Sequence, residues 1–344
     1  MILVIQNRLP HYRREFFNEL SNLDEVLVVH SGPPAFEIGD KFREQILRSI
    51  KIGPFVWQWG LSGFIRSVKP TSVIASADIR NIHSILAMLL FDRKVRWIWW
   101  GMDRGASSLA FRFKCWLALR SNPIVFYNNE ILKIFLNEGI DSRRLFVANN
   151  TFHVSGSKSL ANVPTKDIFL NVGTLDTRKQ NDVVIRAFNE IYRRTGRDIY
   201  LYLIGEGVER DSLEALVLAL NLTGRVFLPG KIEDPQVLED FYARAIASVS
   251  FGQAGLAVMQ SKAFGVPFIT KRNAISGGEK FNIVDGSNGI FCSDDMDSLV
   301  NAMSKLIEDP GYAKFLGVNA FTHYRDKASV SLMVDGFRAA LNSI

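Results

Sequence analysis

Short apolar runs alternate with longer amphipathic stretches along the chain, and this alternation predicts parallel α/β layering. In the first half, residues 2–5, 25–30, 73–75 and 95–100 read as strands with helical patterns between them, and 124–127 and 145–148 as further strands. Residues 130–138 have helical spacing, and Gly139 is placed to end that helix. The polar stretch 153–165, with Ser155, Gly156, Ser157, Lys158 and Pro164, reads as a linker. Beyond it the alternation is more regular: strands at 168–172, 200–204, 225–228, 246–249 and 267–270, and helices at 182–194, 209–220, 235–243 and 256–264. This is the pattern of a doubly wound sheet, in which ligands sit beyond the carboxyl ends of the strands, so the loops after Val172, Ile204, Leu228, Ser250 and Thr270 should line one cleft. Helices at 296–307 and 330–341 close the chain.

The expected division is 1–160 and 161–325, two similar Rossmann-like domains, with a C-terminal helix in 326–344 crossing back to the first. With 344 residues, 47% hydrophobic and 22% charged, the chain can fill two cores and is neither disordered nor fibrous. Cys115 and Cys292, its two cysteines, have no metal-ligand partner at useful spacing and suggest a reducing cytoplasm. The apolar start carries no preceding basic region and reads as a strand, not a signal peptide. The apolar stretches 84–91 and 97–100 fall short of the roughly 20 residues that cross a bilayer, so the expectation is a soluble or peripheral protein. Charge is uneven: residues 1–160 carry 21 Lys and Arg against 13 Asp and Glu, net +8, and the rest 20 against 22, net −2. A basic first half implies an anionic partner; without a nucleic-acid motif, a membrane surface or lipid phosphate is favoured over nucleic acid.

Several segments carry candidate chemistry. The strand ending at Val172 leads into Gly173, Thr174, Arg178 and Lys179 just before a helix, a loop able to hold a diphosphate by charge and amides, with Lys179 as the ligand. A solvated turn with two surface cations is the plainer alternative. Gly205-Glu206-Gly207 permits close backbone approach to a ligand, or only a tight turn. It lacks the third glycine of a dinucleotide fingerprint, which disfavours a nicotinamide enzyme. Most informative is the strand running through Gly252, Gln253, Ala254, Gly255 and Leu256 into a helix starting near Gly255, whose free amides can face a diphosphate or a sugar hydroxyl; ordinary strand-to-helix packing is the alternative. In the first half, Arg8, His11, Tyr12 and Arg13 follow the first strand, and Asp103 and Arg104 follow Trp97-Ile98-Trp99-Trp100-Gly101-Met102. The tryptophans read as core rather than membrane anchors. Asp295-Met296-Asp297 spells a metal-binding Asp-x-Asp, but at a helix start it reads as capping. His83 and His153 read as structural.

The second half resembles the glycosyltransferase group 1 superfamily, also called family 4. The resemblance runs from Gly173 to Pro310 and rests on the Val-Gly turn with downstream Lys179, Ile204-Gly205-Glu206-Gly207, Pro229-Gly230-Lys231, the Gly255-Leu256 helix start, Ala263-Phe264-Gly265-Val266-Pro267 and Val284-Asp285-Gly286-Ser287-Asn288-Gly289. The basic Pro10-His11-Tyr12-Arg13 is similar to a start seen in some members. The resemblance implies an α/β GT-B fold, with two Rossmann-like domains facing across a cleft, and transfer from a nucleotide-sugar donor with retention and no metal or other cofactor. Donor contacts would fall on Gly173, Thr174, Arg178, Lys179, Gly205, Glu206, Gly207, Lys231, Gln253, Ala254, Gly255, Leu256 and Gln260. Arg8, His11, Tyr12, Arg13 and Arg104 would meet the acceptor, and Asp103 and Glu279 are the catalytic candidates. The superfamily often carries two glutamates where this chain has Gly252 and Gln260, and the Gly-x-x-Gly-Leu form of the loop looks like a branch whose later acid corresponds to Glu279. An Arg common on the Val-Gly turn is Thr174 here, so Arg178 is expected to supply its charge. The implied acceptor is a saccharide, lipid-linked, in synthesis of O-antigen, capsule or exopolysaccharide, on the cytoplasmic face of an inner membrane. A non-catalytic sugar-nucleotide-binding partner and a nucleotide-sugar epimerase remain as alternatives.

Overall fold

The apolar runs become the central strands of two parallel sheets. The computed structural model describes residues 1–91, 94–105, 107–120, 123–154 and 166–343, so most of the linker candidate, 155–165, lies outside the described residues. The chain divides into two units, Met1–His153 with Ser329–Ile344, and Val154–Ala328.

In the first unit, β1 (Ile2–Ile5), β2 (Val26–His30), β3 (Arg43–Ile46), β6 (Ser72–Ser76), β7 (Arg96–Trp100), β8 (Ile124–Phe126) and β9 (Leu145–Val147) form a sheet in the order β3-β2-β1-β6-β7-β8-β9. Every ladder is parallel. A two-stranded antiparallel hairpin, β4 (Ser49–Ile52) and β5 (Phe55–Gln58), stands apart from it. Alternate residues of the central strands enter two cores. One core lies under α2 (Leu61–Val68), α3 (Ile82–Phe91), α4 (Ser108–Arg120) and α5 (Asn129–Asn137), the other under α1 (Arg14–Leu20) and α12 (Val330–Asn342). Trp97, Trp99 and Trp100 are buried in these cores.

The C-terminal helix α12 completes the second of these cores. Val330, Met333, Val334, Phe337 and Ala340 recur at helical spacing and are buried, with the Phe337 ring 5.1 Å from Phe16 and 5.0 Å from Trp100. Gly336 makes the close approach possible, since a Cβ there would lie 2.4 Å from the Val147 carbonyl oxygen.

The second unit contains β10 (Ile168–Val172), β11 (Tyr200–Ile204), β12 (Val226–Gly230), β13 (Ala245–Val249), β14 (Phe268–Lys271) and β15 (Gly289–Cys292), ordered β12-β11-β10-β13-β14-β15. α6 (Asn181–Thr195), α7 (Arg210–Ala219), α10 (Met296–Glu308) and α11 (Pro310–Lys327) contribute to the larger core, and α8 (Pro235–Arg244) packs on the other face. Counted from β10, the order is 3-2-1-4-5-6, the doubly wound arrangement whose ligand crevice opens where neighbouring strands diverge. Here that point lies between β10 and β13. The short helix α9 (Ala257–Ala263) follows β13 and begins at Ala257, one residue inside the 256–264 span read from the sequence.

Candidate functional site

At the divergence point of the second unit the two strand ends are joined by a buried amide: Asn171 Nδ2 donates to the Val249 carbonyl at 2.7 Å. The loop after β10 then turns through Gly173 (φ +147°) into a 3-10 turn, Thr177–Lys179. Asp176 caps this turn by accepting from the Arg178 amide at 3.1 Å, and its carboxylate also takes the Arg178 guanidinium at 2.5 Å. The Arg178 side chain is thereby exposed and already paired. Lys179 is the opposite case. It is buried, and its Nζ lies 3.0 Å from where a Cβ on Gly173 would stand, so the ammonium sits against the end of β10. Burial lowers its pKa, the nearby charge of Arg178 lowers it further, and Asp176 and Glu279 oppose the shift. Gln180 (φ +54°) then breaks into α6, where Asn181 is wholly buried. The side-chain oxygens of Asn171 and Gln180 and both amide atoms of Asn181 have no hydrogen-bond partner among the described residues. Unpartnered donors and acceptors beside a buried ammonium suit a polar, anionic ligand.

The loop after β13 is fastened to the β10 loop. Gly252 N–H donates to the Lys179 carbonyl at 3.0 Å, and a Cβ on Gly252 would lie 2.2 Å from the Arg178 carbonyl oxygen. No side chain fits at position 252. The same loop bridges to the segment after β14: Ala254 N–H donates to Ile275 O (2.8 Å) and Ile275 N–H to Gly252 O (2.9 Å), alongside the Gln253–Ile275 bridge. That bridge carries the 3-10 turn Glu279–Asn282 toward the crevice. Glu279 is buried, its carboxylate receives Ser276 Oγ at 3.4 Å, and it is near enough to Lys179 for its charge to act on the ammonium. The amides of Gly255 and Leu256 donate to no backbone carbonyl among the described residues, and the space beside Gly255 is open. Gln260 is buried on α9.

Other sequence candidates stand elsewhere. A Cβ on Gly205 would lie 1.9 Å from Gly173 O, and one on Gly207 2.1 Å from Leu175 O, so these glycines admit the β10 loop's own backbone. Thr174, next to Gly173, is exposed. Glu206 is paired with Arg210 (2.8 Å), and exposed Lys231 with Glu233 (2.6 Å). Asp295 caps α10 by accepting from Ser298 N–H at 2.7 Å. Among the described residues no group of three or more His, Cys, Asp or Glu is placed to hold a metal ion.

Sequence reasoning missed a cluster behind Glu279. Asn282 Nδ2 donates to the Glu279 carbonyl (3.1 Å), and Asn282 Oδ1 meets His323 Nε2 (3.1 Å). Burial, aided by the charge of Lys262, pushes His323 down to about 4. Lys262 itself is fully buried on α9, its Nζ without a hydrogen-bond partner among the described residues, and burial pushes it down to about 7. A lysine in a helix whose residues are all buried from Val258 to Ala263 is unusual, but the polar run Gln260-Ser261-Lys262 reads in the sequence as a solvated face.

In the first unit, Arg13 is buried: its Nη2 donates to Tyr127 Oη at 2.8 Å and its guanidinium lies 4.0 Å from the centroid of a Trp100 ring. Arg8 and His11 are exposed and Tyr12 is half-buried beside His11. Asp103 and Arg104 follow β7 and are both exposed; Lys114 of α4 pairs with the Asp103 carboxylate. His83 stacks on Trp57 at 4.2 Å.

Residues 156–323 match the family model for glycosyl transferases group 1. A Campylobacter jejuni protein named N-acetylgalactosamine-N,N'-diacetylbacillosaminyl-diphospho-undecaprenol 4-alpha-N-acetylgalactosaminyltransferase is 29% identical over 189 residues, 54% of this chain and 50% of that one. The lipopolysaccharide core biosynthesis glycosyltransferase LpsE of Rhizobium meliloti is 28% identical over 41% of this chain and 40% of its own. The chain thus spans about half the length, or less, of these relatives. Among solved structures, Anabaena Alr3699/HepE in complex with UDP superposes with a TM-score of 0.77 over 100% of both chains at 15% identity, and the fold is of this GT-B type.

Proposed function

We propose, from the match of residues 156–323 to the group 1 glycosyl transferases, that this chain moves a sugar from a nucleoside-diphosphate donor to a saccharide acceptor carried on a membrane lipid, in cell-envelope polysaccharide synthesis. The observation that carries the reading is the convergence, at the divergence point of β10 and β13, of the buried Lys179 ammonium, the free amides of Gly255 and Leu256, and Glu279. Breaking the glycosidic bond leaves negative charge on the diphosphate, and a desolvated ammonium with fixed amides stabilises that charge more than water does. Glu279 and Gln260 accept hydrogen bonds from donor hydroxyls. The α9 helix is short, so its dipole adds little and Lys179 carries most of the positive charge.

Retention of configuration is proposed from the resemblance to the group 1 superfamily, and because no carboxylate nucleophile can stand at position 252, same-face attack assisted by the leaving phosphate is the proposed route to it. Charge compensation by Lys179 needs no metal. The HepE complex with UDP and the undecaprenol-linked substrate named for the Campylobacter relative support the donor and acceptor classes. The basic first half fits work at the cytoplasmic face of an anionic membrane, where Arg8, His11, Tyr12 and Arg104 are the acceptor-side candidates and Asp103 a partner for an acceptor hydroxyl.

The test is transfer from a panel of nucleotide sugars to undecaprenyl-diphosphate-linked saccharides, with and without chelator, and the anomeric configuration of the product read by NMR. Turnover that survives chelation and retains configuration supports the reading; inverted product overturns the mechanism. The Gly252 and Gln260 substitutions favour one rival, a binding partner without catalysis, and tight UDP binding with no turnover on any pair would establish it.

A further inference from the structure

The helices on one face of the first unit's sheet leave an apolar stripe turned outward. On α4, Leu109, Phe113, Trp116 and Leu119 are 77%, 40%, 37% and 60% exposed, while Leu117 and Ala118 face the core. Their spacing puts all four on one side of the helix. Phe113 and Trp116 stack with ring centroids 5.4 Å apart, and the Arg120 guanidinium lies 4.6 Å from the Trp116 ring. Arg112 stands on the same side. α4 contains no carboxylate, and neither arginine forms an ion pair among the described residues. The helix of the preceding crossover, α3, likewise exposes leucines.

We infer that this face of α4 is a docking surface for an anionic lipid bilayer, with its rings among the upper acyl chains and Arg112 and Arg120 on lipid phosphates. At thirteen residues the helix is about 20 Å long, too short for a hydrocarbon core of about 30 Å, and no described helix is long and apolar enough to cross. A helix held in the protein core on one side, with aromatic, leucine and arginine residues on its outward side, lies instead in the plane of the interface. The unpaired arginines choose the occupant. Against a second copy of this chain, two-fold pairing of the stripe would bring the α4 arginines together with no carboxylate on the helix itself to receive them, whereas a phosphate-bearing surface complements both. The inference deepens the proposed function and rests on it for the lipid acceptor that gives docking a purpose.

The test uses the full chain with vesicles of phosphatidylcholine alone or mixed with phosphatidylglycerol, read by co-sedimentation and by quenching of tryptophan fluorescence with brominated acyl chains. Binding is expected with phosphatidylglycerol, and it weakens about tenfold or more in Phe113→Ser/Trp116→Ser, as two partly buried aromatics lose their apolar gain. It also falls in Arg112→Glu/Arg120→Glu. Leu218→Ser, an exposed leucine on α7 of the other unit, leaves it unchanged. Trp116→Phe keeps binding but loses most of the quenching. The inference is overturned if wild type stays in the supernatant, if both double variants bind normally, or if quenching survives Trp116→Phe. A dimer in light scattering that disperses in Phe113→Ser/Trp116→Ser also overturns it. UDP binding by the same protein separates the failures: retained with no vesicle binding, the surface alone falls; absent, the donor reading falls.

Discussion

Replacing Lys179 by methionine isolates the contribution of its charge, because the side-chain stem and its packing are kept. For folding alone the ammonium is a burden: it is buried, lowered in pKa by desolvation, and only partly compensated by Asp176 and Glu279. Lys179→Met should therefore leave the unfolding midpoint unchanged or raise it. The donor diphosphate is what the charge serves, and a hydrogen bond to a charged group contributes about 1.5–3 kcal/mol, so UDP affinity should fall roughly 10- to 100-fold. The pH dependence has a definite sign. A lysine whose folded pKa is depressed destabilises the fold below that pKa, and the penalty fades as pH rises toward the unfolded value. UDP affinity in wild type runs the other way, declining as pH rises through the depressed pKa. Diphosphate binding raises that pKa and takes up a proton, which titration calorimetry in buffers of different ionisation enthalpy reads directly. A Lys179→Met protein that binds UDP within about twofold of wild type, with unchanged proton uptake, would refute the phosphate role.

Glu279→Gln should lower kcat/KM by about 10- to 100-fold if the carboxylate orients a donor hydroxyl. It should also shift the alkaline decline of UDP affinity to lower pH, because the Glu279 charge supports the protonated Lys179; a pH series of UDP titrations checks it. Lys262→Met should stabilise the protein by a few kcal/mol, most below pH about 7, with the gain shrinking as pH rises and the wild-type lysine folds neutral; denaturant melts at two pH values measure it. Gly205→Ala should destabilise by more than about 2 kcal/mol, since its Cβ would collide with Gly173 O at φ +152°. Gly255→Ala, with open space beside it, should melt like wild type and lose donor affinity, and a normal UDP titration would remove Gly255 from the site.

The strands buried on both faces were legible because two-sided burial writes a continuous apolar run, and 168–172 and 200–204 were read with the bounds the structure has. β3, with sequence REQI, and β4, with SIKI, carry no such run, being half-exposed or exposed, and only pairing reveals them. α11 hides for another reason: its inward side is made of small residues, Ala313, Gly317 and Ala320 around Leu316, which leave little periodic contrast. Glycine gave the site its ambiguity. A single sequence shows that a backbone approaches at 205, 207 and 252 but not what it meets, and the structure answers with the carbonyls of Gly173, Leu175 and Arg178. That answer bears on mechanism. With the β10 loop lying where a side chain at 252 would be, an acid like the one the resembled superfamily often carries at this position could stand here only if the loop holding Lys179 moved away. The buried ammonium and the missing carboxylate are thus two consequences of one close contact, and Gly252→Glu should disrupt the Lys179 loop rather than restore a catalytic acid.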